Sequence, residues 1–311
     1  MNELETIRDF IRFGASEFSR AGLTFGHSYD NALDESTQLV LHALHMPHDL
    51  SPVYASARLT LDERGDVLAL FRRRIDERVP ACYLTGEAWF AGLAFATDAR
   101  ALVPRSPIAE LIEGGFSPWL DGVAVERALD MCTGSGCIGI AMAVHNPGWI
   151  VDCVDLSSDA LALASDNVGR FDVGDRVRLV ESDLFEALRG ERYDLIVSNP
   201  PYVTHDEYAA MPAEYAHEPQ LGLTAGDDGL DIALRLLDEA ADHLTDRGVL
   251  IVEVGESQHA LEQLLPDVPF AWIEFKVGQM GIFCLERRDL LAHAKTIANA
   301  CAARRTPLRS D

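Results

Sequence analysis

The chain has 311 residues, 48% of them hydrophobic and 24% charged, which is typical of a globular protein with one large domain or two ordinary ones. No apolar run reaches the length of a membrane span, and the acidic first residues lack a signal-peptide pattern, so we expect a cytoplasmic protein. A formal net charge of −24 repels nucleic acid and favours a basic partner, but it is equally consistent with solubility or adaptation to salt.

The cysteines do not form a metal-binding pattern. There is no C-x-x-C pair, and no histidine cluster lies beside the cysteines, so we expect no zinc. We expect buried free thiols in a reducing compartment. The six positions are Cys82, Cys132, Cys137, Cys153, Cys284 and Cys301.

Residues 1–85 are predicted to form a helical N-terminal domain, because their apolar residues recur at helical spacing between proline-containing breaks. Asp34 and Asp62 are the predicted N-caps of two of these helices. The domain is expected to help recognise a partner or to cover a site. Residues 86–104 alternate and turn like a β-hairpin, which we interpret as a linker.

Residues 105–311 alternate strands with helices, which predicts a largely parallel α/β sheet and a catalytic domain. A helix is predicted over 230–244, and a frayed tail is predicted from Arg304 onward. Seven strands are predicted, at 129–132, 150–154, 177–180, 193–197, 248–254, 270–277 and 282–286.

A glycine-containing loop joins the first of these strands to a helix. Gly134 and Gly136 allow a tight turn and a close approach to a ligand, and ligands of open α/β sheets bind beyond the carboxyl ends of the strands. Asp155 ends the next strand, 21 positions after Gly134, which is the spacing of a carboxylate that holds ribose hydroxyls. Asp183 ends the third strand, where an adenine amine can donate to it.

Two cofactors share this geometry. Gly139 completes the pattern G-x-G-x-x-G of a dinucleotide site. Asp130, however, precedes the loop, and a carboxylate there would repel a pyrophosphate but attract an α-ammonium group. This favours S-adenosylmethionine, whose methionine end is a zwitterion. The predicted cofactor-binding residues are Asp130, Thr133, Gly134, Ser135, Gly136, Asp155, Asp183 and Asn199.

The stretch Asn199-Pro200-Pro201-Tyr202 directly follows the fourth strand. Proline has no N–H and restricts the residue before it to extended conformations, so the chain forms a rigid loop here. A planar –NH2 group can donate one hydrogen to the Asn199 side-chain oxygen and the other to the Pro200 carbonyl, while Tyr202 packs on its plane. Asn199, Pro200 and Tyr202 are therefore the predicted catalytic residues. The simpler alternative is a loop that only ends a strand.

With these residues, nearly the whole chain resembles class I S-adenosylmethionine-dependent methyltransferases, and more narrowly the protein-glutamine N-methyltransferases that carry Asn-Pro-Pro-Tyr. Residues 102–108 (LVPRSPI), 130–138 (DMCTGSGCI) and 217–219 (HEP) are similar to the branch that acts on a large-subunit ribosomal protein. The release-factor branch typically has Arg-Pro-Glu-Thr at the first of these places.

The resemblance implies a Rossmann-like, mainly parallel seven-stranded sheet behind a small helical N-terminal domain. It also implies methylation of a glutamine side-chain amide in ribosomal protein "L three". The residues expected to bind this substrate are Asn199, Pro200, Pro201, Tyr202 and Glu218.

Four alternatives stay open at this stage. The glutamine could belong to a peptide release factor, or the loop could hold an exocyclic base amine of a nucleic acid. The chain could bind the cofactor or a ribosomal partner without chemistry, or it could use a nicotinamide cofactor. The negative charge and the lack of a Lys/Arg-rich face count against nucleic acid.

Overall fold

The computed structural model describes residues 3–27, 29–275 and 281–305. The chain begins with four helices that pack around a core of their own, whose buried side chains include Phe10, Phe18, Leu39, Val67 and Phe71. The helices are α1 (Ile7–Arg20), α2 (Ala32–Ala43), α3 (Leu61–Asp76) and α4 (Ala81–Thr85).

The caps of two of these helices differ from the prediction. Asn31, not Asp34, caps α2: its side chain accepts hydrogen bonds from two backbone N–H groups. Thr60, not Asp62, caps α3 and forms a capping box with Glu63. The two aspartates lie in the first turns, where a negative charge suits the positive end of the helix dipole. A short polar side chain two or three residues earlier therefore took the capping position in each case.

A two-stranded hairpin follows, made of β1 (Glu87–Phe90) and β2 (Leu93–Ala96). Ala91 and Gly92 form its tip with φ angles of 47° and 73°, which matches the twist of the strands. The short helix α5 (Ile108–Glu113) then leads into the main sheet.

The main sheet has seven strands in the order β5-β4-β3-β6-β7-β9-β8. The first five along the chain run parallel, β9 is antiparallel to β7, and β8 is antiparallel to β9. The strands are β3 (Arg127–Met131), β4 (Ile150–Asp155), β5 (Val177–Glu181), β6 (Tyr193–Ser198), β7 (Leu244–Glu253), β8 (Ala271–Trp272) and β9 (Ile282–Glu286).

Helices cover both faces of this sheet and bury two apolar cores. Their ranges are α6 (Cys137–His145), α7 (Ser158–Phe171), α9 (Asp231–His243), α10 (Gln258–Leu264) and α11 (Arg287–Arg305), whereas α8 (His205–Ala210), between β6 and α9 in the chain, buries no residue. The chain reverses its direction of winding between β3 and β6, which are neighbours in the sheet. The crevice at such a switch point is where open α/β sheets bind ligands.

The C-terminal end differs from the prediction in two places. Arg304 belongs to α11 rather than to a frayed tail, because α11 packs apolar residues on the sheet and Arg304 pairs with Asp228 and, at 3.0 Å, with Asp231. Residues 306–311 of the predicted tail lie outside the described residues. The strand predicted over 270–277 is only two residues long in the structure, and its last two positions also lie outside the described residues.

Across the described ranges, no helix combines the length and the apolar character needed to cross a membrane.

Candidate active site

The loop between β3 and α6 depends on glycine. Gly134 and Gly136 have φ angles of 57° and 79°. A Cβ on Gly136 would lie 2.9 Å from Ile140 Cδ1, so a side chain there would be both strained and crowded. Asp155, at the end of β4, accepts hydrogen bonds from the Gly134 N–H at 2.8 Å and from the Ser157 N–H at 2.9 Å. The loop and the strand-end carboxylate therefore form one rigid unit.

Asp130 lies under this loop. It is fully buried, and its Oδ2 atom accepts hydrogen bonds from the Gly139 N–H at 2.8 Å and from the Thr133 hydroxyl. Its Oδ1 atom has no hydrogen-bond partner among the described residues. Burial raises the pKa of Asp130 to about 7, since these two hydrogen bonds offset only part of the cost of desolvating the carboxylate.

A cavity of about 340 Å³ opens beyond the carboxyl ends of β3, β4 and β6. This volume lies within the range of small-molecule sites. Three predicted residues, Asp130, Gly136 and Glu218, do not line it. The predicted residues that do line it are Thr133, Gly134, Ser135, Asp155, Asp183, Asn199, Pro200, Pro201 and Tyr202.

The loop after β6 brings two unlike groups to this cavity. The side chain of Asn199 is half-buried, and the described part of the chain provides no hydrogen bond to it. Tyr202, in contrast, donates a hydrogen bond from its hydroxyl to Glu253 at 2.9 Å. A free amide next to a fixed aromatic ring leaves Asn199 able to bind a ligand.

Glu253 is a residue of the site that the sequence did not predict. Glu253 ends β7 and is fully buried, and it accepts hydrogen bonds from Tyr202 and from the Ser106 hydroxyl. Burial raises its pKa above the ordinary value of a glutamate. The signal that could have found it is its position: like Asp130 and Asp155, it is a carboxylate at the end of a buried apolar strand.

Asp183 and Glu218 are both ion-paired. Asp183 lines the cavity and pairs with Arg235 at 2.8 Å. Glu218 is buried away from the cavity, with Oε1 lying 2.6 Å from Arg105 Nη1 and 3.0 Å from His27 Nε2. Although burial opposes it, these two partners lower the pKa of Glu218.

The structure thus brings Arg105, not Glu218, to the cavity. Arg105 lines the cavity and lies over the Tyr215 ring, with its guanidinium carbon 5.5 Å from the ring centroid. The buried carboxylate of Glu218 balances the charge of Arg105 from behind. The side chain of Glu218, which we expected from the sequence to bind the substrate, is fully enclosed in this arrangement and does not line the cavity.

The strand order, the glycine loop with its strand-end carboxylate, and the Asn-Pro-Pro-Tyr loop together define a class I methyltransferase. The family model described as "Methyltransferase small domain" matches residues 118–215. This confirms the predicted fold class, and the class uses S-adenosylmethionine in general.

Comparison with curated proteins identifies the family. The chain is 65% identical to the ribosomal protein uL3 glutamine methyltransferase of Xanthomonas campestris pv. campestris, over 97% of this chain and 98% of that protein. It is 45% identical to the protein of the same name from Francisella tularensis subsp. tularensis, over 94% of each chain. For the Neisseria gonorrhoeae protein of that name the identity is 47%, over 93% of this chain and 97% of that protein. The chain therefore belongs to the family of ribosomal protein uL3 glutamine methyltransferases, which confirms the resemblance seen in the sequence.

Proposed function

We propose that the chain transfers a methyl group from S-adenosylmethionine to the side-chain amide nitrogen of a glutamine in ribosomal protein uL3. The observation that carries this proposal is the loop Asn199–Tyr202 in the cavity that the glycine loop also lines. The 65% sequence identity to a curated relative, over 97% of this chain, supports the choice of uL3 over a release factor. Such a substrate supports action in the cytoplasm.

The residues of the glycine loop fit S-adenosylmethionine. Two buried polar atoms there, Asp130 Oδ1 and Ser135 Oγ, have no hydrogen-bond partner within the described ranges, which suits the polar methionine end of this molecule. Asp155 is the candidate for the ribose hydroxyls, and Asp183 for the adenine amine. When bound, S-adenosylmethionine supplies an electrophilic methyl group on a positively charged sulfur.

The chain itself orients and polarises the amide. A glutamine nitrogen is a poor nucleophile, because its lone pair is delocalised into the carbonyl. Asn199 and the Pro200 carbonyl would accept its two hydrogens, so that electron density rises at nitrogen while it is held in line with the methyl group. The same acceptors stabilise the positive charge that develops on nitrogen in the transition state.

Tyr202 and Glu253 complete this arrangement. The Tyr202 ring confines the amide plane and excludes water from the reacting atoms. The carboxylate of Glu253 fixes the ring through the tyrosine hydroxyl, and Ser106 in turn holds Glu253. Once methylated, the amide nitrogen carries a positive charge and is strongly acidic, so it gives up one N–H proton to water as the product leaves, and no strong base is required.

We also propose the division into a helical domain (1–85), a hairpin linker (86–104) and a catalytic domain (105–311). The separate apolar core of the helical residues supports the first boundary. The hairpin strands Glu87–Phe90 and Leu93–Ala96, which form a sheet of their own, support the second.

The function is tested by transfer of labelled methyl from S-adenosylmethionine to separated uL3, release factors and nucleic acid in one parallel assay. We expect label in uL3, mapping to glutamine. Label in release factors would retain the chemistry and change the substrate. Label only in RNA or DNA would mean that the loop holds a base amine, and it would contradict the proposal.

A further inference from the structure

Residues 211–219, called here the wall segment, form part of the cavity surface through Met211, Tyr215 and Pro219. Their regular structure is a single short 3-10 helix, Ala213–His217. A helix of this length is not stable in isolation, because the cost of nucleation exceeds the gain from its few hydrogen bonds. The position of the wall segment therefore depends on what it contacts.

The helical domain supplies a central contact. Glu214, in the middle of the wall segment, directs its Oε1 atom to three donors. These are the Thr24 N–H at 3.0 Å, Arg74 Nη1 at 3.3 Å and Arg78 Nη1 at 3.5 Å. All three donors belong to residues 1–85, so one carboxylate oxygen joins the wall segment to the helical domain.

Two further contacts extend this attachment along the segment. His217 Nε2 lies 2.8 Å from the Glu77 carbonyl oxygen. The ring of His27 lies against that of Tyr215, with 4.4 Å between the centroids. The attachment thus includes a residue that lines the cavity.

Burial makes the central contact specific. The Arg74 side chain is almost fully buried, and it also donates to Glu35 Oε1 at 2.6 Å and to the Thr24 carbonyl at 2.8 Å. Glu35 lies on α2 of the helical domain, whereas Glu214 lies on the wall segment. Arg74 is therefore shared between one carboxylate of its own domain and one of the catalytic domain. Removing one partner of such a buried pair is strongly destabilising, because it leaves an uncompensated buried charge.

We propose that Arg74 and Glu214 are positioning residues for methyl transfer. Through their buried ion pair, the helical domain holds the wall segment in place, so that Tyr215, with Arg105 over its ring, forms part of the wall of the cavity that Asn199 also lines. The helical domain then shapes the site as well as any protein surface it recognises. This inference rests on the proposed function for the identity of the reaction, but not for the contact itself.

The test compares Glu214→Gln with Glu35→Gln. Each substitution removes one carboxylate charge from the same Arg74, but only Glu214 belongs to the wall segment. For each variant, kcat and KM are measured with uL3 and S-adenosylmethionine, and hydrogen–deuterium exchange is measured in peptides that cover residues 204–222.

For Glu214→Gln we expect faster exchange in the wall segment and a roughly 10- to 100-fold lower kcat, because small displacements of a reacting group are costly. KM for S-adenosylmethionine should stay within about twofold, since the loop that includes Gly134 makes no contact with Glu214. Glu35→Gln should lower thermal stability but leave kcat and wall-segment exchange close to those of the wild type.

Three results would overturn the inference. The first is an unchanged kcat in Glu214→Gln with only a higher KM for uL3, which would limit the helical domain to substrate recognition. The second is an equal loss of kcat in both variants, which would reduce the ion pair to global stability. The third is wall-segment exchange that does not respond to Glu214→Gln. Should the wild type fail to methylate uL3, the proposed function falls, while the exchange data still decide whether the ion pair holds the segment.

Discussion

The two sides of the cavity are built differently. The cofactor side, formed by the loop 132–136 and Asp155, comes from two consecutive strand–helix units, and its central hydrogen bond joins residues 21 positions apart. The amide side, formed around Asn199 and Tyr202, depends on Glu253 and Ser106, which lie 147 positions apart. Its wall segment is attached to a helix 140 positions away. Local spacing therefore reveals the first side and the Asn199–Tyr202 loop of the second, whereas the residues that hold this loop come together only after long-range folding. The predictions below test whether the two sides also act separately.

Asn199→Ala should have the largest effect and should be confined to the amide side. Loss of one acceptor for the developing positive charge should lower kcat roughly 10²- to 10³-fold, in the range measured when one hydrogen-bonding group that stabilises a transition state is removed. Cofactor affinity should stay within about twofold. Single-turnover kinetics measures the rate of methyl transfer, and calorimetry measures the affinity for the cofactor. The matched control is Asn146→Ala, at the end of α6 and outside the cavity lining. Turnover close to the wild type would rule out the alignment mechanism.

Asp155→Asn should affect the cofactor side alone. The amide retains one acceptor for two backbone N–H groups and loses the charge offered to the ribose hydroxyls, so affinity for S-adenosylmethionine should fall by about 10- to 100-fold. At saturating cofactor, kcat should remain near the wild-type value. Calorimetry measures the affinity, and steady-state turnover at saturating cofactor measures kcat. Asp159→Asn in the exposed first turn of α7 is the control. A large loss of kcat at saturation would show that the two sides are coupled.

Gly255→Ala should displace the Tyr202 ring on the amide side. The added Cβ would lie 2.6 Å from Tyr202 Cε2, so the ring must move, and we expect kcat to fall about tenfold. Gly190→Ala is the control for backbone strain: it also has a positive φ, of 83°, but no atom within 4 Å of the new Cβ. Both variants should lose about 1–2 kcal/mol of stability from the left-handed backbone. Equal kcat values in the two variants would remove Tyr202 from the mechanism.

The last test concerns the pH dependence of stability on the cofactor side, and its readout is unfolding rather than a change in activity. The pKa of Asp130 is about 7 in the folded protein and 3.8 as an ordinary carboxyl. Because the unfolded chain ionises here from about pH 4 while the folded protein keeps the proton up to about pH 7, its contribution to the free energy of unfolding is complete below about pH 4, falls between about pH 4 and 7, and is lost above about pH 7. Urea unfolding of the ligand-free protein from pH 5 to 8 should show this loss, and Asp130→Asn should show a shallower decline. Parallel pH dependences in the two proteins would contradict the assignment.

Strand prediction succeeded where burial is continuous, as for β6 and for β9 near the C-terminus, but the C-terminal helix was not predicted. The apolar run at 193–197 predicts β6 nearly to the residue, because a strand covered on both faces is apolar throughout. The helix α11 was missed, since its Arg-rich ends resemble a tail until Arg304 meets Asp228 and Asp231. Those partners lie 73 and 76 positions away, beyond any local pattern.

Site prediction likewise succeeded for residues marked by their local sequence and failed where the direction of a side chain depends on distant contacts. Asn199 and Asp155 are marked by the strand end and by the loop chemistry next to them, and both line the cavity. Glu218 belongs to a recognisable motif, but the motif does not show which way its side chain faces. In the structure it faces His27 and Arg105 instead of the ligand space.

The sequence by itself determined the α/β class, the glycine loop, the Asn-Pro-Pro-Tyr loop and the family resemblance. Each of these depends on residues that are neighbours in the chain and on backbone preferences that act locally. Tertiary structure alone decided that Glu253 holds Tyr202, that Arg105 replaces Glu218 in the cavity, and that Arg74 reaches Glu214. These contacts join groups far apart in the chain. Burial makes them selective, because a charged group removed from water must meet its partner at hydrogen-bond distance.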